Sequence, residues 1–297
     1  MENKKINWYP GHMFKAKKEI QEKLKTIDAV IEVIDARVPI VGHNKMLEEL
    51  VKNKPKLLLF SKSDLVEEQD LSKYLSYYAN LGYQTLNINV HANNTAAKVI
   101  KKIEVLCEPI KEKFQNKGIN KTLRIMIIGM PNAGKSTLIN ALAGKKKLVV
   151  GNRPGVTKAQ AIIKLSNDIE LVDTPGILIP KIDTLQQGYT LVLNSLIKDE
   201  VVELEEVGFY LLKYLIKYKT QELLKRYPKL EEVAELESMV EPDIMQTEQI
   251  YEQISKSIGA YAKQSGVDYN KVSVRLVNDY RQQKFGKIIL DELNYED

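Results

Sequence analysis

Hydrophobic residues in the first part of the chain form short runs separated by segments with helical spacing. The strand-like runs lie at residues 29–34, 56–60, 84–89 and 123–128. Short apolar runs rich in branched residues are typical of strands buried on both faces. Helical spacing occupies the intervening residues 43–53, 67–80 and 95–106. This alternation predicts an α/β domain with a mostly parallel sheet.

The pattern changes after Pro180. Residues 161–165 and 169–172 form the last strand-like pair and predict a hairpin. Beyond it, residues 185–226 and 230–263 carry apolar residues at helical spacing, which predicts an all-helical domain. We therefore expect two domains, residues 1–180 and residues 181–297. Residues 107–121, which contain proline and glycine, are interpreted as a surface connection.

Composition narrows the class of protein. Cys107 is the only cysteine among 297 residues, so no intrachain disulfide and no zinc site built from a cysteine set is expected. No run of apolar residues is long enough for a signal peptide or a membrane span, so we expect a cytoplasmic protein without a membrane partner. Residues 1–180 carry a net charge of +11 and residues 181–297 one of −6. The basic half is compatible with a polyanionic partner.

The strongest motif follows the strand at residues 123–128. Residues 129–136, GMPNAGKS, fit the phosphate loop G-x-x-x-x-G-K-[ST], and a helical pattern follows them. In such a loop, successive N–H groups surround phosphate oxygens, the lysine reaches the β- and γ-phosphates, and the hydroxyl ligates Mg²⁺. The predicted phosphate-binding residues are Asn132, Ala133, Gly134, Lys135, Ser136 and Thr137. Lys135 is also a predicted catalytic residue.

Two further motifs indicate a GTPase. Residues 173–176, DTPG, end a predicted strand, so Asp173 can hold Mg²⁺ through water and the Gly176 N–H can bind the γ-phosphate. Residues 61–64, SKSD, resemble the guanine-reading motif N/T-K-x-D, in which the carboxylate accepts from two guanine nitrogens. The predicted guanine-binding residues here are Ser61, Lys62, Ser63 and Asp64. Ser61 lacks the longer amide of asparagine, which predicts weaker guanine affinity or discrimination.

The order of these motifs is unusual. In ordinary GTPases the guanine motif follows DTxG, whereas here it precedes the phosphate loop. This order is expected of a circularly permuted GTPase domain, in which the former termini have been joined at the surface. The permutation places the second switch directly before the helical domain. We therefore expect nucleotide state to be relayed to that domain.

With these motifs, the chain resembles the bacterial ribosome biogenesis GTPase A family over essentially its whole length. The shared segments are WYPGHM at residues 8–13, DARVP at 35–39, SKSD, GMPNAGKS, PGVT at 154–157, and DTPG followed by Ile177, Leu178, Pro180 and Lys181. The resemblance implies GTP hydrolysis and GTP-dependent binding to the large ribosomal subunit and its rRNA during late assembly. It implies no DNA partner, and we expect a monomer.

The resemblance also assigns individual residues. It implies that Thr157 completes the Mg²⁺ coordination beside Ser136 and that the main chain at Asn89 and Val90 supports the guanine base. Ile177 stands where many GTPases carry a glutamine that orients water. His12 is therefore either the water-positioning or general-base residue, or a structural histidine.

A second cofactor and an RNA surface follow in the same way. Asn132 matches the asparagine that helps to hold K⁺ near the phosphates in cation-dependent GTPases; the alternative is that it only shapes the loop. Because the helical domain is acidic overall, RNA contact would need a local basic set. That set is Lys271, Arg275, Arg281, Lys284 and Lys287. The run Lys145–Lys147 is either a further RNA contact or a solvated loop.

Three other functions remain open from the sequence. One is a nucleotide-gated RNA-binding switch with little catalysis, and another is an assembly GTPase for a different RNA particle. The third is a permuted GTPase that serves the small subunit. The absence of a zinc-ligand cysteine set argues against the zinc-bearing members of that last class.

Overall fold

The computed structural model describes residues 20–144, 162–166, 168–173, 182–232, 236, 239, 243–262 and 266–291. These residues form two compact units. The sheet unit contains the described residues up to 173 together with residues 289–291, and the helical unit contains those from 182 to 288. No helix in the described ranges is long and apolar enough to cross a membrane.

The sheet unit is built on six described strands in the order β3-β2-β1-β4-β6-β5. All neighbouring pairs are parallel except the β5–β6 hairpin, so the predicted α/β fold with a mostly parallel sheet is confirmed. The strands are β1 (Ala29–Asp35), β2 (Lys56–Ser61), β3 (Gln84–Asn87), β4 (Leu123–Gly129), β5 (Ile162–Lys164) and β6 (Ile169–Asp173).

The helices of this unit connect the parallel strands. A helical turn at residues 20–24 precedes β1. The others are α1 (Lys45–Val51), α2 (Glu68–Asn80), α3 (Thr95–Gln115) and α4 (Lys135–Ala143). The predicted surface connection at residues 107–121 is wrong for residues 107–115, because α3 continues to Gln115, and correct for residues 116–121, which form neither helix nor strand. Pro109 removes only one backbone donor from α3, and the buried Leu106 and Cys107 hold this part of the helix against the core.

The core explains why these segments are strands. All seven residues of β1 are buried, as expected for a central parallel strand covered on both faces. Val30 packs with Met126 and Ile128 of β4, while Ile34 packs with Phe60 of β2. Each fully buried side chain of this size contributes roughly 1.5–3 kcal/mol to stability. Packing of the central strands therefore fixes the edge where their carboxyl ends meet.

The helical unit contains α5 (Leu185–Leu193), α6 (Leu204–Tyr218), α7 (Thr220–Arg226), α8 (Ile244–Ile258) and α9 (Tyr269–Arg281). Its core includes Leu211 and Leu215 from the predicted apolar stripes, and also Leu276 of α9, a helix that lies beyond the ranges predicted as helical. At the start of α8 the side chain of Asp243 accepts from the Gln246 N–H, and the Gln246 side chain bonds back to Asp243. This capping box satisfies backbone donors that a helix start leaves unpaired.

Residues 289–291 differ from the predicted division, because they group with the sheet unit. Ile289 packs on the apolar cluster around Phe60. The Asp291 Oδ2 accepts from the backbone N–H groups of Ile40 (2.6 Å) and Val41 (2.9 Å), and the Tyr74 hydroxyl donates to the Asp291 carbonyl. We call residues 289–291 the return segment.

Candidate nucleotide-binding site

The phosphate loop joins the central strand β4 to the helix α4. Gly129 ends the strand with φ 143°, and a Cβ there would lie 2.3 Å from the Val33 carbonyl oxygen of β1. Only glycine allows the two strands to approach this closely. Gly134 adopts φ 98° and caps α4. The loop therefore turns sharply into the N-terminus of α4, where a helix leaves backbone N–H groups available to an anion.

Lys135 is the one titratable side chain of the loop, residues 129–136. Its side chain is buried, and its Nζ donates to the carbonyl oxygens of Gly129 (2.9 Å) and Met130 (2.5 Å). Burial lowers the pKa of Lys135 to about 8, while the charge of Asp173 opposes this effect. The ammonium is thus folded back on the loop, and a phosphate would offer it stronger acceptors than two carbonyls.

The predicted metal-binding residues of the described chain lie next to the loop. Asp173 ends β6, which pairs with β4 so that Asp173 lies opposite Ile127. Ser136 is exposed in the first turn of α4, as is the predicted phosphate-binding residue Thr137. Hydroxyl and carboxylate oxygens are the donors that Mg²⁺ prefers, so this donor set fits the ion.

The predicted guanine motif is hydrogen-bonded to the phosphate loop. The Ser61 hydroxyl, fully buried at the end of β2, donates to the carbonyl of Ala133 (2.5 Å) and also lies 3.2 Å from that of Ile34. The Nζ of Lys62 donates to the carbonyl of Asn132 (2.8 Å). The Ser61 hydroxyl thus reaches the phosphate loop although it is shorter than the asparagine side chain usual at this position. It joins the end of β2 to the phosphate loop.

The remaining predicted guanine-binding residues lie around the same strand ends. Asp64 is exposed in a 3-10 turn (Ser63–Leu65), so its carboxylate is accessible to a base. The Ser63 N–H donates to the Ile88 carbonyl (3.1 Å), which joins this turn to the segment with Asn89 and Val90. The Asn89 side chain accepts from the His91 N–H (2.9 Å) and shapes that loop.

Comparisons with known proteins show the family of the chain. A family model described as "RsgA GTPase" matches residues 24–183, and one described as "50S ribosome-binding GTPase" matches residues 124–257. Ribosome biogenesis GTPase A of Priestia megaterium is 37% identical over 97% of this chain and 96% of its own. The chain belongs to the ribosome biogenesis GTPase A family.

Other proteins are similar to this chain at lower sequence identity. Mitochondrial ribosome-associated GTPase 1 of Xenopus tropicalis is 30% identical over 98% of this chain and 96% of its own. Among solved structures, GNP-bound YlqF from T. maritima matches with a TM-score of 0.64 and 20% identity, covering 94% of this chain and 98% of that one. This structural likeness supports the GTPase fold of this member of the ribosome biogenesis GTPase A family.

The basic set of this family member lies in the helical unit. Lys271 and Arg275 are exposed on α9, where they pair with Asp268 (3.2 Å) and Asp279 (3.3 Å). Lys284 is also exposed, and Lys287 is partly buried. Arg281 differs from the others because it binds inside the unit. Its guanidinium donates to Asp199 (2.6 and 3.0 Å) and to the carbonyl oxygens of Val192 and Leu193.

Several predicted residues lie outside the described ranges, and two functional candidates were missing from the predicted site. His12, Lys145–Lys147, Thr157 and Gly176 lie outside the described residues. Asp35 and Arg37 were not predicted as site residues, although polar residues directly after a parallel strand were the available signal. The Asp35 carboxylate accepts from Arg37 and Lys62, each at 2.7 Å, at the edge where the phosphate loop begins.

Proposed function

We propose that this GTPase acts in the assembly of the large ribosomal subunit, binding GTP at residues 129–136 and contacting rRNA of the maturing particle. The GTP-binding part of this proposal is carried by the hydrogen-bonded junction of the two motifs. Ser61 and Lys62 of the guanine motif donate to consecutive carbonyls of the phosphate loop, those of Ala133 and Asn132. Base recognition and phosphate binding would therefore occur at one site. The ribosome-assembly part rests on the similarity to ribosome biogenesis GTPase A and to the family model described as "50S ribosome-binding GTPase".

The residues around the phosphates have separable roles in this proposal. The N–H groups from Asn132 to Thr137 hold phosphate oxygens, and Lys135 leaves its carbonyl acceptors to bind the β- and γ-phosphates. Ser136, Thr157 and water-linked Asp173 would hold Mg²⁺, which neutralises charge on the phosphate oxygens when bound. Gly176 would donate its N–H to the γ-phosphate.

The attacking water needs a partner that Ile177 cannot provide. We propose His12 for this role, as a water-positioning or general-base residue. On this proposal His12→Ala lowers particle-stimulated GTP turnover about 10²-fold or more, while GDP affinity stays unchanged. Full stimulated turnover in the variant would remove His12 from the mechanism.

A potassium ion near Asn132 is the second proposed cofactor. It would supply positive charge at the phosphates where other GTPases use an arginine. Turnover should then be faster in K⁺ than in Na⁺ at equal ionic strength, and Asn132→Ala should reduce that difference. Equal rates in the two salts would leave Asn132 as a loop-shaping residue.

The proposed contact with rRNA uses the exposed members of the basic set, Lys271, Arg275 and Lys284. Each lost phosphate contact should weaken binding at all RNA sequences and reduce its salt dependence. Arg281 is the matched comparison, because its guanidinium is bound within the helical unit. Its substitution should lower stability, while the folded protein keeps its RNA affinity. We further propose a monomer in the cytoplasm.

The deciding experiment is GTP turnover in K⁺ buffer with purified large or small ribosomal subunits. We expect stimulation by large subunits only, and Lys135→Ala should remove it. Stimulation by small subunits would assign the protein to a different particle. GTP binding without stimulation by either subunit would favour a nucleotide-gated switch with another RNA partner.

A further inference from the structure

The side chain of Asp35 lies at the end of β1, beside the end of β2. Asp35 pairs in register with Ser61, and its side chain is 0% exposed. Its Oδ1 accepts from the Nε (3.0 Å) and the backbone N–H (3.1 Å) of Arg37. Its Oδ2 accepts from Arg37 Nη2 and from Lys62 Nζ, both at 2.7 Å. Four donors therefore surround one buried carboxylate.

These donors keep Asp35 charged. Burial alone would raise the pKa of Asp35, but the hydrogen bonds and charges of Arg37 and Lys62 outweigh it, so the pKa is lowered. A buried carboxylate that stays ionised attracts a nearby ammonium strongly. The Lys62 side chain is 28% exposed, and this attraction favours the conformations in which its ammonium contacts Asp35.

Lys62 connects Asp35 to the phosphate loop. Its backbone is in the left-handed region, with φ 54°, and its Nζ donates to both Asp35 and the carbonyl of Asn132. A free lysine side chain samples many rotamers, and fixing it during ligand binding costs affinity. Because two acceptors fix the ammonium before a nucleotide binds, the four-carbon stem of Lys62 is already ordered within the guanine motif.

We propose that Asp35 is a positioning residue for guanine-nucleotide binding, acting through Lys62. It holds the Lys62 ammonium against the phosphate loop, so the stem is pre-organised to pack on the base. This inference rests on the proposed guanine site at residues 61–64. Arg37 completes the arrangement by holding the carboxylate itself, since it fills the remaining acceptor positions of Asp35.

The test is a double-mutant cycle on GDP affinity with Asp35→Asn, Lys62→Met and the double variant. Asp35→Asn removes the charge but keeps the shape, and we expect about tenfold weaker GDP binding. If Asp35 acts through Lys62, the same change costs less than twofold when Lys62 is already methionine. The proposal would be overturned if the fold-losses of the two single variants multiplied in the double variant. It would also be overturned if Asp35→Asn bound GDP with unchanged affinity.

A matched control lies on the same strand. Glu32 is also buried, but its carboxylate accepts from the Asn44 N–H (2.8 Å) and contacts His43 (3.1 Å). Glu32→Gln should therefore destabilise the fold without changing GDP affinity. If Asp35→Asn does not fold, Asp35→Glu replaces it, because a longer carboxylate keeps the charge but displaces the Lys62 ammonium. It should weaken GDP binding only when Lys62 is present.

Two further measurements separate this inference from the guanine site on which it rests. In steady state, Asp35→Asn should raise the KM for GTP more than it lowers kcat, as loss of pre-organised binding predicts. Asp64→Asn should weaken GDP binding because it removes the acceptor for the base. Unchanged GDP affinity in Asp64→Asn would contradict the guanine site itself. A normal Asp64→Asn result with additive Asp35 and Lys62 effects would contradict the positioning role alone.

Discussion

The two units bury carboxylates in different surroundings. In the helical unit, Asp279 accepts from the Arg226 guanidinium (2.6 and 3.1 Å) and from the Tyr227 hydroxyl (2.7 Å), and Arg275 lies 3.3 Å away. All three partners belong to that unit. In the sheet unit, Asp35 binds Lys62, whose ammonium continues to the carbonyl of Asn132 in the phosphate loop.

This difference separates a network that stays within packed helices from one that extends to the phosphate loop of the proposed nucleotide site. The donors around Asp279 hold α7 to α9, so their hydrogen bonds serve packing between helices. The donors around Asp35 include one that also touches the phosphate loop. Burial and ion pairing alone would rank the two aspartates together. What distinguishes them is the second acceptor of a donor: Lys62, which donates to Asp35, also donates to the Asn132 carbonyl of the phosphate loop.

The largest effect is expected from Asp279→Asn. The change removes the buried charge that accepts from the Arg226 guanidinium and the Tyr227 hydroxyl, and hydrogen bonds to a charged group contribute about 1.5–3 kcal/mol each. Chemical denaturation of the purified protein measures this loss, while GDP affinity should stay the same. Glu252→Gln is the control, because it removes only the exposed pair with Lys256 and should cost under about 0.5 kcal/mol. A large loss of GDP affinity in folded Asp279→Asn would break the comparison.

The second-largest effect is expected from Lys135→Ala, which should impair catalysis and change stability little. Removing this ammonium is expected to lower GTP turnover by roughly 10²–10³-fold, because it opposes charge on the phosphates. Lys54→Ala is the matched control, since the Lys54 Nζ also donates to a carbonyl near a strand end, that of Ile27 (2.7 Å). Turnover in Lys54→Ala should match the parent. A comparable loss in both variants would indicate a general disruption of the sheet unit.

Asp291 is a second buried acid of the sheet unit, and it lies far from the phosphate loop in sequence. Its titration provides the third prediction. Burial, and secondarily the charge of Asp35, raise the pKa of Asp291 to about 7, although two backbone N–H groups oppose this. Between pH 4 and 7 the folded protein holds a proton that the unfolded chain has lost. Stability should therefore fall by roughly 2 kcal/mol from pH 5 to 7 and then level off.

Asp291→Asn should remove that dependence, because the amide oxygen can still accept from Ile40 and Val41. Thermal denaturation at pH 5, 6, 7 and 8 compares the two proteins. The midpoint of the variant, relative to the parent, should increase as the pH rises. A constant difference across this range would show that Asp291 does not titrate with a raised pKa.

The smallest effect concerns the pH dependence of nucleotide binding. Because the pKa of Lys135 is lowered to about 8 in the free protein, the ammonium loses its proton above that pH. Binding phosphate then requires proton uptake, so GDP affinity should fall between pH 8 and 9, by at most about tenfold. In Lys135→Ala this component should be missing, and any titration of the base itself remains. Equal slopes in both proteins would contradict the assignment.

The sequence predicted those parts of the site that depend on neighbouring residues. The phosphate loop and the strand before it are local patterns, and the parallel order of strands follows from alternation with helices. The extent of α3 was missed because Pro109 signals an ending that tertiary packing overrides. The contact between Ser61 and Ala133 spans 72 positions, so no local pattern shows which carbonyl the hydroxyl meets.

The side chains that close the networks were the hardest to predict. Asp291 lies about 250 positions from the amides it accepts from, and its neighbours in sequence give no sign of them. Arg281 looked like part of a basic surface, since sequence shows charge but not the carbonyl oxygens of α5 that the guanidinium meets. The exposed Lys271 and Arg275, which lie on the same helix as Arg281, are therefore better candidates for RNA contact.

The return segment has a consequence for how the chain is made. A ribosome releases residues in order, so β1 and the amides of Ile40 and Val41 leave the exit tunnel long before Asp291 does. Until then the loop after β1 lacks its buried acceptor, although the phosphate loop and the guanine motif have already been synthesised. Completion of the sheet unit thus waits for translation of the whole helical unit. A chain cut short within that unit carries its nucleotide motifs on an unfinished scaffold, which exposes it to proteolysis.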